Sequence, residues 1–123
     1  DFTQPYSTQL RSLCLEAGRA SQETLIDGGV YACVQGPRLE TAAEINRLER
    51  DGANIVGMTG MPEAALAREL DMHYAAICPV VNHAAGRASS QHGIKYENVG
   101  EVLDQTMERV RKLIERLVIA HAC

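Results

Sequence analysis

What this sequence lacks narrows its possible roles first. Its four cysteines, Cys14, Cys33, Cys78 and Cys123, show no CxxC or CxxH spacing. Neither a zinc centre nor a disulfide framework is therefore expected, and the cysteines read as reduced thiols of a cytoplasmic protein. Positive charge is not in excess: 12 Lys and Arg face 16 Asp and Glu, for a net charge of -4. That balance offers no electrostatic grip on nucleic acid or an anionic membrane surface. No apolar run approaches the roughly 18 residues of a membrane span. The first residues lack a charged stretch followed by an apolar one, as a secretory leader would have. His73, His83, His92 and His121 form no cluster with metal-ligand spacing, so no metal is expected and none of the four is read as catalytic. No repeat or low-complexity segment interrupts the chain. An initiator methionine is also missing, and the opening Asp1-Phe2-Thr3-Gln4-Pro5 reads as the middle of a loop.

What remains is a chain of 123 residues, 46% hydrophobic and 23% charged, suited to one modest globular domain or part of one. Leu10, Leu13, Cys14 and Ala17 fall at helical spacing, with Ser7 or Thr8 as a cap and Gly18 near the stop. Val30 to Val34 is a β-prone run opened by Gly28-Gly29 and closed by Gln35-Gly36-Pro37. Thr41-Ala42-Ala43-Glu44 fits a capping box, in which hydroxyl and carboxylate reciprocally satisfy free backbone N–H groups, and Gly52 supplies the stop. Asn54 to Met58 reads as a second strand. Pro62 suits the first turn of a third helix running to about Asp71, since its missing N–H costs nothing there. Tyr74 to Val81 is apolar enough for the middle of a sheet. After a polar stretch, Asn98 is expected to cap a long helix with Glu101 three positions on. Val99, Val102, Leu103, Val110, Leu113 and Leu117 form that helix's apolar stripe. Strands alternating with helices argue for an α/β layer structure, whose sites form where strand ends meet loops.

Three such loops carry the candidate chemistry: Gly36 to Thr41, Gly57 to Glu63, and Val80 to Ala84. Each also has a purely structural explanation. Gly-Pro makes a turn, Thr41 caps, Met58 and Met61 fill a core, and Asn82 suits a turn. In this order and at these spacings, however, they resemble the trimeric purine nucleoside phosphorylase and methylthioadenosine phosphorylase family. The segment Val56 to Ala67, VGMTGMPEAALA, is the most specific part of that resemblance.

The resemblance implies a three-layer α/β fold with a mixed sheet flanked by helices. Residues 1–123 would be the C-terminal part of a single nucleoside phosphorylase domain, in a homotrimer with sites near subunit interfaces. It further implies an N-terminal half, absent from this chain, that holds a glycine-rich phosphate loop and an Arg-His pair. The implied chemistry is phosphorolysis in purine salvage, with inorganic phosphate as co-substrate and no cofactor. Catalysis then rests on positioning and on hydrogen bonds that stabilise charge on the departing purine.

Carried over position by position, Thr59 matches the phosphate-binding hydroxyl and Met58 the residue packed on the ribose. Leu39 stands where the family often has phenylalanine, keeping an apolar wall but not the stacking. Asn82 matches the catalytic position at purine N7 and the 6-substituent, where methylthioadenosine enzymes have Asp. Its amide can both donate and accept. Glu40 matches a glutamate that accepts from N1–H of a 6-oxopurine, and can equally serve as a charge favouring the following helix N-terminus. Val99, Val102 and Leu103 match an apolar pattern around a 5'-methylthio group, where a 5'-hydroxyl would be left unsatisfied. They also suit the buried face of an amphipathic helix. The combination points to S-methyl-5'-thioinosine, cleaved to hypoxanthine and 5-methylthioribose 1-phosphate. The alternatives are a methylthioadenosine or plain purine nucleoside phosphorylase, and a non-catalytic binding or assembly fragment. The stretch 84–95, rich in Gly, Ser and polar residues, is expected to be a flexible lid or a disordered loop.

Overall fold

The computed structural model describes residues 1–121, and of residues 96–98 the backbone alone. The elements run α1 (Thr8–Ala20), β1 (Tyr31–Cys33), α2 (Ala42–Arg50), β2 (Ile55–Gly57), α3 (Glu63–Glu69), a 3-10 turn at Ala88–Ser90, and α4 (Tyr96–His121). They fall into two compact units. One comprises Asp1–Asp27, Pro62–Pro79 and the residues from Asp104 on; the other comprises Gly28–Met61 and Val80–Leu103.

The first unit holds α1, α3 and most of α4. Ser7 caps α1 by accepting from Leu10 N–H at 3.2 Å. Gly18 lies near the stop as expected, two residues before the last helical residue, Ala20. It is buried within α1, and a Cβ there would lie 2.7 Å from Leu25 Cδ1, so its bare Cα accommodates the returning chain. The helix ends at Gln22, which takes φ +58°. Gln22 N–H reaches Arg19 C=O at 3.1 Å and Glu23 N–H reaches Gly18 C=O at 2.9 Å, the paired bonds of a Schellman ending. Asp71, at φ +53°, ends α3 in the same way. Pro62 occupies the N-cap of α3 and accepts Leu66 N–H at 3.0 Å. Cys14, Ala17, Ala64, Ala67 and Leu113 are the buried apolar residues of this unit, and Leu113, at 2% exposure, is its largest fully buried side chain. Burial pushes the Cys14 thiol pKa up. Cys14, Cys33 and Cys78 are free thiols.

The second unit is built on a β–α–β run. β1 and β2 lie parallel, with Tyr31 opposite Ile55 and Cys33 opposite Gly57, and α2 makes the crossover that parallel strands require. The ladder extends beyond both ends, through Asn54 N–H to Val30 C=O and Val34 N–H to Gly57 C=O, each 2.9 Å. Asn54 also accepts Val30 N–H on its side chain at 2.7 Å. The capping box of α2 forms as expected, and Gly52, at φ +96°, ends that helix.

Two expectations are corrected. Tyr74 to Val81 is not a strand, because β1 and β2 pair only with each other. An apolar run becomes a strand only where a neighbour offers a hydrogen-bonding edge. Secondly, α4 starts at Tyr96, so Asn98 falls in its first turn and not at its cap. The Asn98 side chain, like Cys123, lies outside the described residues. No helix among the described residues is long and apolar enough to cross a membrane.

Candidate functional site

All eight residues singled out from the sequence belong to the second unit. The loop after β1 is shaped by a close approach: Gly36 takes φ +63°, and a Cβ on it would lie 2.6 Å from Met58 Sδ. Met58 therefore packs across the start of this loop. Further along, Arg38 grips Glu44 through two parallel bonds, Nη1 to Oε2 and Nη2 to Oε1, both 2.8 Å. Glu44 Oε2 also accepts the N–H of Thr41 at 2.7 Å and its hydroxyl at 3.1 Å. The Arg38 bonds first, then those from Thr41, lower the Glu44 pKa to about 2. Leu39 and Glu40 are thus held between two residues that share one carboxylate. Leu39 remains 38% exposed, whereas Glu40 Oε1 is buried with no hydrogen-bond partner among the described residues.

Thr59 is organised from a different direction. Tyr31, on β1, accepts Thr59 N–H at 3.1 Å on its hydroxyl, which also lies 3.4 Å from Thr59 Oγ1. The ring passes directly over Gly57. A Cβ at that position would run into Tyr31 Oη, with Cε2 at 2.9 Å and Cζ at 3.0 Å. Glycine in the Gly57-Met58-Thr59 sequence is therefore what allows Tyr31 to reach Thr59.

Leu39 and Glu40 open onto a cleft of about 340 Å³, shared with Ala42, Ala85, Gly86 and the run Ser90 to Ile94 apart from His92. This volume falls within the range typical of small-molecule sites, roughly 300–1,000 Å³. The other predicted residues do not line it. Asn82 is exposed and donates from Nδ2 to His83 C=O at 2.8 Å, which fixes its amide plane and leaves Oδ1 and the second N–H available. Val99, Val102 and Leu103 share one face of α4 at helical spacing. Val102 and Leu103 are 39% and 40% exposed, so this part of the stripe is not the buried face of the helix, a role that falls to Leu113.

Sequence reasoning missed the residues that build the cleft's other wall. The stretch 84–95 carries the 3-10 turn, buries Ser90 to 4% exposure, and is cross-linked by Gly86 N–H to Ser90 C=O at 3.1 Å and Ser90 N–H to Arg87 C=O at 2.7 Å. It is a built wall, in place of the structureless lid its composition suggested. Tyr31 was likewise read only as part of a strand. A tyrosine two register positions ahead of the residue opposite a glycine on the neighbouring strand was the available signal, and it becomes legible only once the register is known.

The Phosphorylase superfamily matches residues 1–119. A probable S-methyl-5'-thioinosine phosphorylase of Pseudomonas syringae pv. tomato is 51% identical over 120 residues, covering 98% of this chain and 48% of that protein. A probable 6-oxopurine nucleoside phosphorylase of Thermococcus kodakarensis is 43% identical over 118 residues, covering 96% of this chain and 43% of that protein. Among solved structures, an adenosine/methylthioadenosine phosphorylase variant of Schistosoma mansoni in complex with adenine superposes with a TM-score of 0.88 at 22% identity, over 100% of this chain and 49% of that one. The α/β fold is thus one found in nucleoside phosphorylases, and the chain spans less than half the length of these two curated relatives.

Proposed function

Since this chain belongs to the phosphorylase superfamily, we propose that it contributes to the phosphorolysis of S-methyl-5'-thioinosine to hypoxanthine and 5-methylthioribose 1-phosphate. The observation that carries this reading is Glu40 Oε1, buried without a partner in a cleft that Leu39 lines. A buried acceptor left unmatched is costly, and a 6-oxopurine supplies the missing donor at N1–H while Leu39 walls the ring. An adenine, whose N1 bears no hydrogen, offers Glu40 no donor at that position. The names of the relatives from Pseudomonas syringae and Thermococcus kodakarensis support the same substrate class.

In the reaction, a phosphate oxygen forms a bond to the anomeric carbon as the bond from that carbon to the purine nitrogen breaks. The bonding electrons leave with the base. Asn82 holds the departing ring by a hydrogen bond at N7 and its neighbouring 6-oxygen, stabilising charge that grows only as the bond breaks. Thr59, fixed by Tyr31, holds phosphate, and Met58 packs on the ribose. Val99, Val102 and Leu103 receive the 5'-methylthio group; Val102 and Leu103 are exposed and Val99 half-buried, unlike the residues of a buried core. The whole enzyme would be a cytoplasmic homotrimer whose N-terminal half completes the phosphate site around inorganic phosphate as co-substrate. Exposed apolar residues such as Leu70, Met72, Val118 and Ile119 support such association.

Phosphate-dependent base release by the full-length protein and by the 123-residue chain, with methylthioinosine, methylthioadenosine and inosine, tests this directly. Methylthioinosine should be the best substrate, and only the full-length protein should turn it over. Glu40→Gln should lower kcat/KM for 6-oxopurines by about 10- to 100-fold, the loss of one buried hydrogen bond to a charged acceptor. Faster turnover of either other nucleoside would overturn the assignment, and inactivity of every form would favour a non-catalytic role.

A further inference from the structure

We infer that Arg87 is a positioning residue: it latches the stretch 84–94 along one face of α2 and so holds the cleft wall that faces the base. This rests on the reading of the cleft given above, although the latch itself is visible in the contacts. Ala42, Asn46 and Glu49 recur at helical spacing and present one side of α2. Gly86 sits against the first of them, where a Cβ would come 2.8 Å from Ala42 Cβ. Further along the same face, Arg87 Nη2 donates to Asn46 Oδ1 at 2.9 Å and to Glu49 Oε2 at 2.5 Å. One guanidinium thus reaches two side chains that lie roughly a turn apart. The turn that follows brings Ser90, Gln91, Gly93 and Ile94 to the cleft shared with Leu39, Glu40 and Ala42.

The wall is therefore preformed by a contact outside the cleft. Arg87 itself does not line it. Fixing a wall before the ligand arrives removes an ordering cost from binding, so its loss should weaken ground-state binding and leave the chemical step nearly intact. Lysine is an imperfect replacement, since its ammonium keeps the charge but is more strongly hydrated and sits on a flexible stem that holds Asn46 and Glu49 less firmly.

The test is a double-mutant cycle in the full-length protein with Arg87→Met and Glu49→Gln, and Arg87→Lys as the conservative variant. Each single substitution should raise the nucleoside KM by about 1.5- to fivefold, as expected for a solvent-accessible charge pair, with kcat within twofold and the phosphate KM unchanged. The double variant should be no worse than Arg87→Met, and Arg87→Lys should fall between. Amide hydrogen exchange across 84–94 should accelerate in the same order, while exchange in α1 stays as it was. Additive effects, or unchanged exchange across 84–94, would overturn the latch. If no form of the protein turns over a nucleoside, the exchange cycle still decides: non-additive acceleration keeps the latch and rejects only the proposed reaction.

Discussion

Replacing Gly57 by alanine isolates the contact that organises Thr59. Gly57 is not among the residues with positive φ, so alanine suits its backbone and the cost is steric alone. The new Cβ would meet the Tyr31 ring, with Cε2 at 2.9 Å and Cζ at 3.0 Å, closer than real Cβ atoms tolerate. Tyr31 belongs to β1, whose register to β2 is fixed, so its ring must swing while its backbone stays. Inserting a methyl into such a contact costs about 1–3 kcal/mol. Swinging the ring also breaks the 3.1 Å bond from Thr59 N–H, worth about 0.5–1.5 kcal/mol at most where solvent can substitute. A total of about 1.5–4.5 kcal/mol is expected, read as a lowered urea midpoint with an unchanged m-value. Tyr31→Phe should cost only the hydrogen bond, about 0.5–1 kcal/mol. In combination with Gly57→Ala it should be less than additive, because the closest obstacle, the hydroxyl, has gone. The Thr59 amide resonance should shift in both single variants. A Gly57→Ala chain as stable as the parent, with an unmoved Thr59 amide, would refute the reasoning.

The remaining predictions concern charge, core and backbone. Glu44, with its pKa lowered from 4.5 to about 2, stabilises the fold fully above pH 4.5 and progressively less as pH falls towards 2. Carboxyl chemical shifts should place its titration near 2, and Arg38→Met should move that midpoint up. Leu113→Ala should cost about 2–5 kcal/mol, since a fully buried leucine leaves a cavity, and thermal melts would show it. Gln22→Gly should stabilise by about 0.5–1 kcal/mol, by relieving a left-handed backbone at the end of α1, measurable by urea unfolding.

Short-range chemistry was legible in the sequence, and contacts across long separations were not. The Thr41–Glu44 capping box and the Gly52 stop involve residues a few positions apart, so their chemistry could be read directly. Gly18 was legible as lying near the end of α1, but the reason for a glycine there was not, because the partner that demands it, Leu25, packs on it from beyond the helix. Gln22 and Asp71 do the work usually left to glycine, and no composition rule announces it. Tyr31 to Thr59 and Arg87 to Glu49 join residues 28 and 38 positions apart, so each needed the fold before it could be seen. The predicted site shows the same division. Leu39 and Glu40 are adjacent and were placed together, whereas the wall they share with Ser90 to Ile94 comes from a stretch whose polar composition suggested mobility.

The shared carboxylate of Glu44 has one further consequence. Both oxygens fasten Arg38, and Oε2 also closes the start of α2, so residues 38 to 44 are tied to a single group. For anyone wishing to retarget this protein, that stretch behaves as one cassette. Leu39 and Glu40 can be exchanged for other side chains, but a longer or shorter insert would unfasten the helix along with the loop.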